Sequence, residues 1–164
     1  MKTLLLLRHA KSSWKDSSIE DHERRLKKRG KKEARRIGRL IAAENLIPDG
    51  MVSSSARRCR ETAEHVIQNS EYRGESRFSP ELYDADTAKL REFVSKLSDS
   101  SSRLMLIGHN PGLEEFLESL VGEHTPLSTG ALAHVDLPVD RWADLGSQTR
   151  GSLVRVWEPR ELGL

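Results

Sequence analysis

The chain has 164 residues, 32% of them charged and 36% hydrophobic, with one cysteine and a net charge of +2. That length suits a single domain, 1–164, with a proper core, and no apolar stretch approaches the roughly 20 residues of a membrane span. The lone Cys59 excludes an internal disulfide and makes a reducing cytoplasm the expected compartment.

The first predicted strand covers about Thr3–Arg8. Leu4, Leu5, Leu6 and Leu7 form a continuous apolar run, the pattern of a strand buried on both faces of a parallel sheet. The run is too short for a signal-peptide core, and Arg8 cuts it. It ends in Arg8-His9, and sites in open α/β sheets lie at the carboxyl ends of strands. The polar stretch Ala10–Leu26 reads as a loop packed near that end, with Trp14 as its anchor rather than a substrate-facing aromatic. A helix follows at Lys28–Glu44. Ala34, Ile37, Gly38 and Ile41 have the i, i+3, i+4, i+7 spacing of its buried face.

Charge is uneven along the chain. Residues 1–62 carry a net +9 and residues 63–164 a net −7. Several of the basic residues lie between Lys27 and Arg39, on the exposed face of the helix just described. The plain reading is a solvated face; the sharper one is a docking surface for an acidic protein. Nucleic acid is not an expected partner, because aromatics are sparse and no recognition motif is present.

A second strand, Met51–Ser54, runs into a helix at Ala56–Gln68, with Ser54 or Ser55 as its expected N-cap. Arg57 and Arg58 then fall in the first helical turn, where cations oppose the helix dipole unless an anion sits there; helix N-termini bind phosphate. Cys59 reads as a small buried hydrophobe. A short strand is predicted at Arg77–Phe78. The next helix, Thr87–Leu97, has Asp86 as its cap and Leu90, Phe93, Val94 and Leu97 as its apolar stripe. The strand Leu104–Gly108 ends in His109, and Pro111-Gly112 opens the helix Leu113–Leu120. Strands at Ala131–Asp136 and Leu153–Trp157 complete an α/β chain with a mostly parallel sheet flanked by helices.

In such a sheet the strand ends share one edge, so His9, His109, Arg8 and Arg58 should converge. That set suits phosphoryl transfer through a phosphohistidine. A neutral imidazole is nucleophilic near pH 7. Guanidinium forks match the equatorial oxygens of a transferring phosphoryl group, and a second imidazole can donate to them. The histidines have no metal-ligand spacing, so no metal and no cofactor are expected.

At these residues the chain resembles the histidine phosphatase superfamily, of phosphoglycerate mutase-like fold, and more closely its SixA-type phosphohistidine phosphatases. The Arg-His motif matches Arg8-His9. The Asp-x-x-Arg-x-Leu-x-x-x-Gly stretch matches Asp21, Arg24, Leu26 and Gly30. The Ser-x-x-x-Arg-x-x-x-Thr-Ala element matches Ser54, Arg58, Thr62 and Ala63, with Ser55 where the family usually has proline. Gly108 to Gly112 match Gly-His-Asn-Pro-Gly. The resemblance implies His9 as nucleophile, Arg8 and Arg58 as phosphate ligands, and His109 as the second histidine. Superfamily members that act on phosphomonoesters carry an acid after a leucine beyond the second helix; Asp84 fits that spacing, with Glu81 as the other candidate.

A helix predicted from Thr87 leaves no room for a lid after Asp84, so the site should be open. An open site suits a phosphorylated side chain on a protein, and the expected activity is phosphohistidine hydrolysis on a protein substrate. The alternatives are a small-molecule phosphomonoesterase of the same superfamily and a catalytically silent phosphate-binding module. An intact His9 argues against the silent module.

Overall fold

The computed structural model describes residues 1–163. Its sheet is built around β1 (Lys2–Arg8). Leu4 and Leu6 enter the core on one face, Leu5 and Leu7 the core on the other, and all four are fully buried. Burial on both sides is why the run needs no polar alternation.

Six strands lie in the order β3-β2-β4-β1-β5-β6, where β2 is Gly50–Ser54, β3 Ser76–Ser79, β4 Arg103–Gly108, β5 Leu132–Leu137 and β6 Ser152–Trp157. On one face α1 (Lys28–Ala43) and α2 (Arg57–Ser70) bury Ile37, Ile41, Ala63 and Val66 against Leu5 and Leu7. On the other, α3 (Thr87–Ser95) and α4 (Gly112–Val121) bury Phe93, Val94, Phe116 and Leu117 against Leu4 and Leu6. The α/β class and every predicted element are present, with ends shifted by one or two residues.

The sheet is mixed. β1, β2, β3 and β4 pair in parallel, but β5 pairs antiparallel with both β1 and β6. The cause is the segment between Gly122 and Gly130. It returns the chain to the edge where β1 ends, and there the Gly130 amide donates to the carbonyls of Arg8 and His9. A chain entering the sheet from that edge can only run against β1.

The register sets the edge at which the two histidines meet. Arg8 lies opposite Gly108 across the β1/β4 pair, so the next residues on the two strands are His9 and His109. The His9 amide donates to the Gly108 carbonyl at 3.1 Å. The start of α2 differs from expectation. Its N-cap is Ala56, and no side chain caps it. Ser54 Oγ does accept from the Ala56 amide at 3.2 Å, but it also faces His109 and belongs to the site. Among the described residues no helix is long and apolar enough to cross a membrane.

Candidate active site

The carboxyl ends of β1, β2 and β4 open into a cleft of about 550 Å³. Arg8, His9, Arg58, His109 and Asp84 all line it, so the five residues singled out from the sequence meet at one place. Glu81, the other candidate acid, does not line it; it faces a separate groove with Arg77 and Lys89.

His9 is 7% exposed and its Nδ1 lies 2.8 Å from the Ala10 carbonyl. A carbonyl only accepts, so Nδ1 carries the ring proton and Nε2 keeps its lone pair. Burial, helped by the charges of Arg58 and Arg8 and by His109, pushes the imidazole down to about 3 against the opposing Ala10 bond. The ring is therefore neutral at pH 7. His109 sits with its ring centroid 5.3 Å away. Its Nε2 is 2.8 Å from Ser54 Oγ, and its Nδ1 is 3.4 Å from an Arg58 Nη2 that can only donate. Burial and then Arg58 lower this imidazole to about 4.

The arginines are held by backbone as much as by charge. Arg8 donates to the Leu127 carbonyl at 3.0 Å. The Leu127 loop is itself clamped, because Glu114 accepts from the Leu127 amide and Asn110 donates to both Glu114 and the Leu127 carbonyl. Arg58 donates to the Asp21 carbonyl at 2.7 Å and to its carboxylate at 3.1 Å. Thr62 Oγ1 donates to Arg58 O and accepts from the Ala10 amide, tying α2 to the loop after His9.

Two glycines let the supporting segments approach. A Cβ at Gly30 would stand 2.1 Å from the Lys11 carbonyl, and one at Gly112 would stand 2.2 Å from that of Ala85. The first contact seats the loop after His9 on α1, where buried Glu33 accepts from the Lys11 amide. The second sets the Asp84–Ala85 segment beside His109.

Asp21, Arg24 and Tyr83 also line the cleft. The Asp21 carboxylate accepts from Tyr83 (2.5 Å), Arg24 (3.0 Å) and Arg58 (3.1 Å). The Tyr83 hydroxyl above all, then the two arginines, hold it well below the usual carboxylate range. Asp21 and Arg24 were legible only as motif positions, and nothing in the sequence marked Tyr83. Trp14 departs from the expected anchor. It is 72% exposed on the cleft rim, and the Arg24 guanidinium lies 3.4 Å from its ring centroid. Cys59 is buried as expected, and burial pushes its thiol up to about 12. Asp84 is exposed at the rim, and no hydrogen bond among the described residues orients it.

The cleft thus presents four cations, Arg8, Lys11, Arg24 and Arg58, against the carboxylates of Asp21 and Asp84, around two neutral imidazoles. It is built for an anion. Among the described residues no group of three or more histidine, cysteine or acidic side chains could hold a metal ion.

Comparisons with known proteins bear on the family and the fold. An uncharacterised chloroplastic protein of Arabidopsis thaliana is 36% identical over 78% of the chain, and the chain spans 63% of that relative's length. An uncharacterised protein of Mycobacterium leprae is 30% identical over 73% of each chain. Among solved structures, the Agrobacterium tumefaciens protein assigned as phosphohistidine phosphatase SixA superposes with a TM-score of 0.83 at 28% identity, covering 96% of this chain and 98% of that one. A tungstate complex of the protein histidine phosphatase SixA reaches the same TM-score at 21% identity, covering 98% and 99%, and shares the fold. The family model described as histidine phosphatase superfamily, branch 1, matches residues 4–97, which hold Arg8, His9 and Arg58, and the chain belongs to that superfamily.

Proposed function

We propose that the protein hydrolyses phosphohistidine on a protein substrate through a phospho-His9 intermediate. The observation that carries this reading is the bond from His9 Nδ1–H to the Ala10 carbonyl. It aims a bare Nε2 into a cleft whose cations would hold a phosphoryl group. Nε2 attacks phosphorus in line as the bond to the substrate imidazole breaks. The departing nitrogen takes that bonding pair, and a ring already protonated on its other nitrogen leaves neutral. Arg8 and Arg58 hold the equatorial oxygens.

His109 serves the same oxygens. A bound dianion favours a proton on its Nδ1, which then donates to the phosphoryl group. In phospho-His9 the proton stays on Nδ1, which donates it to the Ala10 carbonyl, so the ring is cationic and a good leaving group. Water attacks phosphorus, the P–Nε2 bond breaks, and the ring returns to its neutral tautomer. Both water protons leave with the product, dihydrogen phosphate.

The open cleft supports a protein substrate. Only Ala85 and Asp86 separate Asp84 from α3, so no inserted segment stands there to enclose a small molecule. The likeness to a protein assigned as SixA points the same way. Asp84 at the rim is the one feature that favours the second reading, a phosphomonoester substrate. The test is trapping of the phosphoenzyme in base and a substrate panel. Enzyme denatured in base during turnover should carry acid-labile, base-stable phosphate, and His9→Ala should carry none. Full activity in His9→Ala would sink the mechanism. Faster turnover of a metabolite ester than of a phosphohistidyl protein would favour the second reading.

A further inference from the structure

The cleft continues beyond Lys11 and Thr129. Both residues also line an adjoining groove with Glu114, Leu127 and Glu158. Arg29 belongs to that groove and to a third one of about 820 Å³, which runs along α1 beside Lys28, Lys32, Arg35 and Arg39. These last four stand at i, i+4, i+7 and i+11, which is one stripe of a helix. The only acid in α1 is Glu33, and it is buried, so the exposed face of the helix is wholly basic. Arg29 lies 4.0 Å from Glu33 and Arg36 donates to the Leu162 carbonyl, whereas the four stripe residues pair with no carboxylate among the described residues. Lys28 and Lys31 also crowd the first turn, at the end of the helix dipole that disfavours cations. An anionic partner would relieve both costs.

We propose that this stripe docks an acidic segment of the phosphoprotein while its phosphohistidine occupies the cleft. The proposal rests on the activity proposed above for that cleft. From Lys28 to Arg39 the stripe is about 16 Å long at 1.5 Å per residue. An extended acidic segment of about five residues matches it. The connecting groove carries Glu114 and Glu158, which repel a continuous polyanion, and α1 has no aromatic side chain on which a base could stack. A protein with its acids gathered to one side fits better than a nucleic acid.

The probes are synthetic phosphohistidyl peptides. Each carries about five glutamates, set off from the phosphohistidine by neutral spacers of graded length on either side, with glutamine peptides as controls. The enzymes are wild type and a variant with Lys28, Lys32, Arg35 and Arg39 all changed to Gln, a good helix former whose fold circular dichroism can check. Wild type should prefer the glutamate peptide by about tenfold in kcat/KM at the matching spacer, as four partly exposed pairs allow. The preference should vanish in the variant and at high salt, where charges beyond about 3 Å are screened at 1 M. Hydrolysis of phosphoimidazole should be equal for both enzymes.

Equal rates on glutamate and glutamine peptides at every spacer overturn the proposal. So does a preference that survives in the variant. Fluorescence anisotropy of the same peptides with unphosphorylated histidine reads docking without turnover. If phosphoimidazole is not hydrolysed, the activity reading fails, and this binding arm still decides the docking: glutamate-selective binding lost in the variant supports it, and its absence overturns it. An oligonucleotide that binds more tightly than the glutamate peptide overturns it in favour of nucleic acid.

Discussion

The two neutral imidazoles make stability depend on pH in a way that isolates them. In the unfolded chain each histidine takes a proton below about 6.5; in the folded protein His9 waits until about 3 and His109 until about 4. Between those values the unfolded state binds more protons, so stability falls as pH falls. Moving from about pH 7.5 to pH 5 removes about 2 kcal/mol for each ring, roughly 4 kcal/mol together, out of a total that for most domains is about 5–15 kcal/mol.

Asp21 works in the same direction but only below its unfolded value near 3.8, so it is silent in this window. Glu33, whose carboxyl burial raises, acts in the opposite sense, and His65, whose imidazole burial lowers, acts in the same sense; both are common to every variant, so the comparison of variants isolates His9 and His109. Urea unfolding of wild type, His9→Gln and His109→Gln at the two pH values is the measurement. Each glutamine variant should lose about 2 kcal/mol less than wild type on acidification. A wild-type stability flat across the window, or identical slopes in all three proteins, would refute the neutral-imidazole argument.

Four further outcomes test the site itself. Arg58→Lys should lose the fork that spans the Asp21 carbonyl and carboxylate, and steady-state kinetics should show a fall of roughly 10²-fold in kcat/KM. Arg57→Lys should change it by less than about threefold, since Arg57 is half-exposed and its ion pair is with Glu61 at 3.7 Å. Asp84→Asn should cost phosphohistidine turnover less than about tenfold, while any ester turnover, which needs a proton for an alkoxide, should fall by about 10²–10⁴. A chelator should leave the rate unchanged because guanidiniums supply the cations; loss of activity restored by added metal would contradict this.

Much of this arrangement was legible in the residue order, for physical reasons. A strand buried on both faces must be apolar throughout, so Leu4–Leu7 announced the centre of the sheet. Parallel strands present their carboxyl ends together, so His9, Arg58 and His109 could be placed at one edge without knowing the strand order. The direction of β5 could not be read, because a returning loop such as Gly122–Gly130 leaves no periodicity behind. The cap of α2 was misplaced because a serine before a helix normally serves the backbone, and here the Ser54 hydroxyl also faces His109. Trp14 reads as a loop anchor in the sequence, but its partner is a charge, Arg24, and not a core. The Asp21 carboxylate shares three donors drawn from three separate segments, a convergence that exists only in the folded chain.

The loop from Gly122 to Gly130 has a consequence for how the molecule assembles. Arg8 reaches its Leu127 anchor across 119 positions of sequence, and Arg58 meets His109 across 51. Such separations carry a large closure entropy, and contacts of this range form slowly. The first 97 residues contain His9, Arg8 and Arg58 yet lack both His109 and the Leu127 anchor of Arg8. A nascent chain of that length lacks β4, the parallel neighbour of β1, and cannot complete the cleft. Competence to bind an oxyanion should therefore arise late in folding, with the last third of the chain.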